Sequence, residues 1–155
     1  MNEPGDYLRH WRFYYDPPGI STVFVRKGSG IHYGYWRDTP DEKETLLVAR
    51  NDASKNYEFE MVAGNVFDAF MHFLEKDFQG TPFTATAVSN AKKSLQKFLH
   101  ANEVKLESLE KLRLARSTKV VCKTFHRAGI VVPFNSNTKL GYRPLIESDA
   151  EIKIY

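Results

Sequence analysis

The chain has 155 residues, of which 42% are hydrophobic and 14% aromatic, so it can form one domain with a core. Its formal net charge is +3, and its single cysteine excludes both an intramolecular disulfide and a zinc site built on two or more thiolates. The sequence contains no apolar run of about 18 residues, so no membrane span is predicted.

The charges are unevenly distributed along the chain. Residues 1–86 hold 9 basic and 13 acidic residues, whereas residues 87–129 hold 10 basic and 3 acidic ones. A polyanion such as nucleic acid is therefore a candidate partner of the basic segment 92–127. The alternative is a solvated helix face rich in lysine. The candidate polyanion-binding residues are Lys92, Lys93, Lys97, His126 and Arg127.

The first part of the chain predicts an antiparallel sheet. Aromatic residues crowd positions 7–15 and stop at the turn formed by residues 16–19. In the strand predicted at 57–61, apolar residues alternate with Glu58 and Glu60, which is the pattern of a half-buried strand. We therefore expect a sheet of about five or more short strands joined by tight turns. The clearest strands are predicted at 20–26, 31–37, 46–49 and 57–61.

Helical periodicity replaces this alternation after Asn65, which is a good N-cap residue. The first helix is predicted to end before Gly80, and a second is predicted over 87–101 with its lysines off the apolar face. Residues 103–116 fit a helix or an extended ribbon equally well. The sequence thus predicts a single α+β domain over residues 1–155, with two or three helices packed on the sheet.

The last forty residues hold the most specific features of the sequence. Residues 119–133 read as a strand or a pair of strands broken at Gly129. Tyr142 and Arg143 follow Gly141 and precede Pro144, and this rigid turn with two recognition side chains predicts an interface anchor. A capping box at 148–151 predicts the start of a helix, so we expect the sequence to stop at the beginning of a further helical region.

Three other candidates each have two interpretations. His126 could carry a proton or contact an anion near a sheet edge, or it could be a structural residue. Cys122 is expected to be a buried apolar cysteine rather than a nucleophile. Tyr33, Tyr35 and Trp36 could form a base-stacking surface or the sheet core. No nucleophile, base and orienting group can be assembled from the sequence, so no enzyme is predicted and no metal or catalytic residue is assigned.

The sequence resembles the middle region of the histone PARylation factor family. The similarity is carried by VVCKTFHRAGIVVP at 120–133 and LGYRPLIESDAEIK at 140–153. The stretches at 8–18, 31–42 and 64–70 resemble the same family in the same order. Those proteins are accessory factors of the poly(ADP-ribose) polymerases that act in the DNA damage response.

The resemblance implies a nuclear, chromatin-associated accessory protein with no cofactor of its own, because the polymerase partner binds NAD. The implied partners are the polymerase catalytic domain and histones, with poly(ADP-ribose) as a further candidate. The family's docking pair corresponds to Tyr142 and Arg143 here. Its catalytic glutamate belongs to a later helical region, and no residue of this chain matches it. The alternative function is a stand-alone domain that binds nucleic acid or poly(ADP-ribose).

Overall fold

Four antiparallel strands form the central sheet in a computed structural model of the protein, with neighbours in the order β1-β2-β3-β4. The structure describes residues 12–39, 47–78, 80–102 and 108–132, and the backbone of 134–135 and 140–141. The strands are β1 Ile20–Val25, β2 Ile31–Trp36, β3 Val48–Asp52, β4 Glu60–Ala63, β5 Val120–Cys122, β6 Ile130–Val131, β7 Phe134–Asn135 and β8 Leu140–Gly141. The helices are α1 Val66–His72, α2 Ala85–Ala101 and α3 Leu109–Ser117.

The predicted α+β class is confirmed, and the first two strands lie where the sequence predicts them. The fourth begins at Glu60 rather than at residue 57, because the backbone N–H of Phe59 donates to the carbonyl of His126 (2.9 Å). Strands β5 with β6 and β7 with β8 form two-stranded ribbons of their own. The main sheet therefore ends at β4.

The two faces of the sheet are covered by different elements. Alternation along β2 directs Tyr33 to one face and Trp36 to the other. On face A, the buried residues pack with α1 through Ala69. On face B, they pack with Leu109 and Leu112 of α3. The buried residues of face A are Ile31, Tyr33, Val48, Val62, Ala63 and Ala69, and those of face B are Ile20, Trp36, Leu47, Ala49, Phe59 and Ala128.

The turn before β1 is fixed by a buried histidine. His32 is fully buried, and its Nδ1 lies 2.9 Å from the carbonyl oxygen of Gly30. Its Nε2 lies 3.0 Å from Oδ1 of Asp16, and Phe13 stacks on the ring at a centroid distance of 4.2 Å. The predicted turn at 16–19 is confirmed by the bond from the N–H of Ile20 to the carbonyl of Pro17 (3.2 Å).

The helices confirm the predicted N-cap and show the conformation of the second part of the segment that the sequence left open. The side chain of Asn65 accepts from the N–H of Asp68 (2.8 Å). Helix α1 continues into a π-helical turn, Phe73–Asp77, closed by the bond from Phe78 N–H to the carbonyl of Phe73 (2.8 Å). Of the segment 103–116 that the sequence left open, residues 109–116 belong to α3, and 103–107 lie outside the described residues. No helix among the described residues is long and apolar enough to cross a membrane.

The strand pair predicted at 119–133 is present as β5 and β6, with the chain reversing between them. The expectation for Cys122 was wrong, because this residue is exposed. Val121 is exposed as well, and consecutive residues of a strand point to opposite faces, so neither face of β5 is fully covered at these two positions. The predicted anchor Tyr142-Arg143 and the capping box at 148–151 lie outside the described residues.

Candidate anion-binding groove

A groove of about 590 Å³ lies where α3, the edge of β4 and the β5–β6 ribbon meet. We call it the basic groove. Among the described residues, four cationic side chains line it and no acidic one does. The remaining lining is largely aliphatic. The cationic residues are Arg113, Arg116, Lys123 and Arg127, and the aliphatic ones include Leu47, Met61, Val120, Val121 and Ala128.

Arg116 builds the wall of the groove. Its Nε and Nη2 donate to Oδ2 and Oδ1 of Asp38 at 2.9 and 2.7 Å. Its Nη1 donates to the carbonyl of Ala128, and its guanidinium lies 5.6 Å from the ring centroid of Trp36. The side chain is only 11% exposed. Because each guanidinium nitrogen already has an acceptor, Arg116 positions the groove rather than offering itself to a ligand.

The other three cations are exposed. Arg113 lies on α3 and donates through Nη2 to the carbonyl of Met61 in β4. Arg127 is paired with Glu58 (Nη2 to Oε1, 3.1 Å), yet its side chain remains 70% exposed. Lys123 follows β5 directly. Exposed ion pairs contribute little to stability, so Arg127 can exchange Glu58 for another anion at small cost.

The reversal between β5 and β6 places Arg127 at the groove. Arg127 has a φ of 63° and Gly129 a φ of 74°, both in the left-handed region. The N–H of Gly129 donates to Oγ1 of Thr124 (3.0 Å), and the N–H of Ala128 donates to Nδ1 of His126 (3.3 Å). The turn is therefore closed by its own side chains.

His126 is held inside this network. Burial lowers the pKa of His126; a backbone hydrogen bond opposes this and the charge of Arg116 adds to it, and the net direction is downward, so the ring is neutral near pH 7. A neutral ring with Nδ1 as acceptor matches the bond from Ala128 and the 3.1 Å contact with Oγ1 of Thr124. The ring also packs against Trp36 and Phe59. These contacts favour the structural interpretation, and anion binding by His126 stays a prediction.

The predicted polyanion-binding residues do not form one surface. Lys92, Lys93 and Lys97 lie on α2, whose Phe98 packs against Phe67 of α1 at a centroid distance of 5.9 Å. Helix α1 covers face A, whereas Arg127 and His126 lie against face B. Lys92 is also paired with Glu75 (Nζ to Oε1, 3.1 Å). The sheet therefore separates the lysine cluster from the basic groove.

A second polar cluster, which the sequence analysis missed, lies under face A. Asp77 accepts from Nε and Nη2 of Arg50 (2.6 and 2.5 Å) and from the hydroxyl of Tyr33 (2.5 Å). His72 Nδ1 lies 2.9 Å from the same hydroxyl oxygen. Because the hydroxyl hydrogen is directed to Asp77, His72 is the donor in that pair. We call these residues the Asp77 cluster.

The electrostatics of the Asp77 cluster are those of a satisfied ion pair. Burial alone would raise the pKa of Asp77, but the bonds from Arg50 and Tyr33 hold it below its usual range. Burial, together with the Asp77 carboxylate, raises the pKa of Tyr33. Burial also lowers the pKa of His72. Every acceptor oxygen of Asp77 is occupied, so the cluster joins β2, β3 and the π-helical turn and offers no base to a substrate.

Burial decides between the two interpretations of the aromatic strand residues for Tyr33 and Trp36. Tyr33 is fully buried and Trp36 is 6% exposed, so the sheet-core interpretation is confirmed for both and they form no base-stacking surface. Among the described residues, no three histidine, cysteine or acidic side chains are arranged to hold a metal ion.

Comparison with known proteins gives a consistent result. The family model described as Histone PARylation factor 1 matches residues 1–155. The chain is similar to Histone PARylation factor 1 of Danio rerio, with 36% identity over 98% of this chain and 44% of that protein. It is 40% identical to the Mus musculus protein of the same name over 93% of this chain and 42% of that protein. The chain thus spans less than half the length of these relatives.

A Homo sapiens protein described as putative histone PARylation factor 1-like is 38% identical over 93% of this chain and 42% of that protein. The similarity therefore extends over the sheet, all three helices and the basic groove alike. It also includes the segment that contains Tyr142 and Arg143.

Proposed function

Because the chain belongs to the Histone PARylation factor 1 family, we propose that it is an accessory binding factor for poly(ADP-ribose) polymerases. In this role it supports ADP-ribosylation of serine and of histones during the DNA damage response. The observation that carries the proposal is the family match over residues 1–155, together with the names of the relatives. Histones and the polymerase catalytic domain are the proposed partners, and chromatin in the nucleus is the proposed location.

We assign contact with the polymerase to Tyr142 and Arg143. Gly141 and Pro144 flank the pair, and tyrosine and arginine are the side chains enriched in binding hot spots. A guanidinium offers a planar pair of donors that an ammonium cannot reproduce. The pair is therefore the part of the chain at which the proposed interaction is tested most sharply.

We assign no catalytic residue to this chain and no cofactor. The proposed division of labour leaves NAD with the polymerase, and no residue between 1 and 155 is matched to the catalytic carboxylate that the family resemblance implies. The chain alone should then bind a polymerase without promoting serine modification.

Calorimetric titration of a polymerase catalytic domain with the 155-residue chain tests the proposed contact. Arg143→Ala is expected to weaken binding by about 2 kcal/mol or more, and Arg143→Lys should restore only part of this loss. Lys93→Ala removes the same charge from an exposed site on α2 and serves as the matched control. Equal affinities for the Arg143 and Lys93 variants would contradict the assignment, and no binding by the wild type would contradict the proposed function.

Incubating the chain with polymerase, NAD and a histone peptide tests the division of labour. Mass spectrometry locates the modified residues. Robust serine modification without any other factor would show that residues 1–155 contain the base, and the absence of a catalytic assignment would then be wrong.

A stand-alone domain for nucleic acid or poly(ADP-ribose) is the second candidate. Its support is the basic groove and the exposed Lys93 and Lys97 on α2. Because the sheet separates these two basic regions, each would contact a polyanion by itself, with fewer charges than the sequence suggests. Binding that does not weaken as salt concentration rises would exclude this candidate.

A further inference from the structure

We propose that the basic groove binds an extended acidic peptide that carries aliphatic side chains. The proposed site is built from residues other than Tyr142 and Arg143, and the proposal does not depend on the accessory role. It is based on the charge, the lining and the shape of the groove.

The charge of the groove calls for an anionic partner. Arg113, Lys123 and Arg127 are exposed at the groove, while no acidic residue of the described part of the chain lines it. Among the described residues, the groove residues Arg116 and Arg127 are paired with Asp38 and Glu58, and neither Arg113 nor Lys123 has an acidic partner there. Arg113 and Lys123 are therefore the groove cations that can bind the carboxylates of a partner. Opposite charges across an interface speed the encounter of the two partners and fix their relative orientation.

The lining distinguishes a peptide from a nucleic acid. Single-stranded nucleic acids are held by aromatic side chains on which their bases stack. No aromatic residue lines the groove within the described ranges, and its apolar part there consists of side chains such as Met61 and Val120. A leucine, isoleucine or valine side chain matches this surface. The volume of about 590 Å³ lies in the range of sites that enclose most of a small ligand.

The shape of the groove favours an extended conformation of the peptide. Strand β5 lines the groove along its whole length, through Val120, Val121 and Cys122, and α3 contributes Arg113 and Ser117 to the lining. In an extended chain successive side chains point in opposite directions. A peptide that alternates aliphatic and acidic residues would place its aliphatic side chains on the floor and its carboxylates beside Lys123 and Arg113.

Cys122 provides a direct measurement of occupancy. It is the only cysteine of the chain, it is exposed, and it lines the groove. The rate of alkylation by iodoacetamide, an uncharged reagent, is followed by intact mass with increasing amounts of a short capped peptide in which glutamate and leucine alternate. The proposal expects saturable slowing of the reaction. Three comparison ligands are a glutamate-only peptide, a glutamine–leucine peptide and an oligothymidylate of matched charge, and each is expected to protect more weakly.

Two matched charge reversals locate the binding. Lys123→Glu is expected to weaken the peptide affinity by about tenfold, because it places a carboxylate at the groove. Lys93→Glu makes the same change on α2, beyond the sheet, and should alter the affinity by less than about twofold. For each variant, the alkylation rate of Cys122 with peptide is divided by the rate of the same variant without peptide. This ratio removes the effect of the new charge on the reactivity of the thiol.

Several outcomes would overturn the proposal. If Lys93→Glu weakened the peptide affinity as much as Lys123→Glu does, the loss would come from the overall charge of the protein and not from the groove. Equal protection by oligothymidylate or by the glutamate-only peptide would assign the groove to polyanions in general. No protection by the alternating peptide would show that the groove does not bind this class of ligand.

Discussion

Arg116 and Asp38 lie 78 positions apart in sequence and are joined by two hydrogen bonds of 2.9 and 2.7 Å. Oδ1 of Asp38 also accepts from Nε1 of Trp36 (2.8 Å), and Arg116 lies over the same indole ring. The pair thus connects the end of α3 to the residues that follow β2, and it holds one wall of the basic groove.

Replacing Arg116 by lysine should lower the free energy of unfolding by about 2 kcal/mol, because an ammonium cannot make the paired contact in this largely buried position. Urea unfolding measures the change. Arg127→Lys is the control, since it alters an exposed ion pair in the same way and should cost less than about 0.5 kcal/mol. Similar losses in both variants would contradict the special role of the Arg116–Asp38 pair.

Removing the hydroxyl of Tyr33 should destabilise the Asp77 cluster. In Tyr33→Phe the buried carboxylate loses a donor and His72 loses its acceptor, so we expect a loss of about 1–2 kcal/mol in chemical denaturation. Tyr35→Phe is the matched control on the same strand, because its hydroxyl has no hydrogen bond among the described residues. A larger loss for Tyr35→Phe would show that the cluster contributes little.

Stability should decrease as the solution is acidified below about pH 6.5, the ordinary pKa of histidine. Burial lowers the pKa of both His72 and His126 in the folded chain. The unfolded chain therefore binds more protons over this range, so the stability present above it is lost progressively as the pH falls.

Unfolding free energies at about pH 7.5 and about pH 5.5 measure this loss. It should be smaller in His126→Gln than in the wild type. An unaltered pH dependence in His126→Gln would exclude His126 as a contributor.

Two glycines with nearly equal φ allow the stability cost of a strained backbone to be distinguished from that of a steric clash, when each is replaced by alanine. Gly28 has a φ of 76°, and a Cβ added there meets nothing within 4 Å. Gly129 has a φ of 74°, but its added Cβ would lie 2.7 Å from Cγ1 of Val120. Gly28→Ala should cost about 1 kcal/mol from the backbone alone. Gly129→Ala should cost about 2 kcal/mol or more, since Val120 must also move. Thermal unfolding of the two variants compares them directly, and equal losses would contradict the predicted clash.

The β-bulge in β1 offers a stabilising change. Oγ1 of Thr22 is buried and has no hydrogen-bond partner in the described part of the chain. Thr22→Val keeps the shape and removes the unsatisfied hydroxyl, so we expect about 1 kcal/mol of added stability. Thr22→Ser retains the hydroxyl and serves as the control. A loss of stability in Thr22→Val would indicate that the hydroxyl has a partner in solution.

Local patterns predicted much of the fold. The N-cap at Asn65 and the alternation in β1 and β2 depend on neighbouring residues, so they can be read from the sequence. The start of β4 could not be read in this way. It depends on the bond between Phe59 and His126, which lie far apart in the chain. Residues 109–116 could not be assigned for the same reason. Their apolar side chains fit a helix or an extended ribbon, and it is packing on face B that favours the helix.

The candidate site was predictable only in part. Net charge along the sequence indicated a basic region, but it did not show that α2 and the 124–128 turn lie on opposite faces of the sheet. The Asp77 cluster gave no sequence signal, since Tyr33 and Asp77 are 44 positions apart and neither lies in a recognisable motif. Cys122 was misjudged because an apolar stretch indicates burial only when a second layer covers it.

The bonds along the outer side of β4 also affect how copies of the protein meet. Arg113 donates a hydrogen bond to the carbonyl of Met61, and the N–H of Phe59 donates to the carbonyl of His126. These main-chain groups are therefore unavailable to a strand from another molecule. Uncovered sheet edges are common starting points for aggregation. By covering this edge with α3 and the following turn, the chain limits strand-to-strand self-association at high protein concentration.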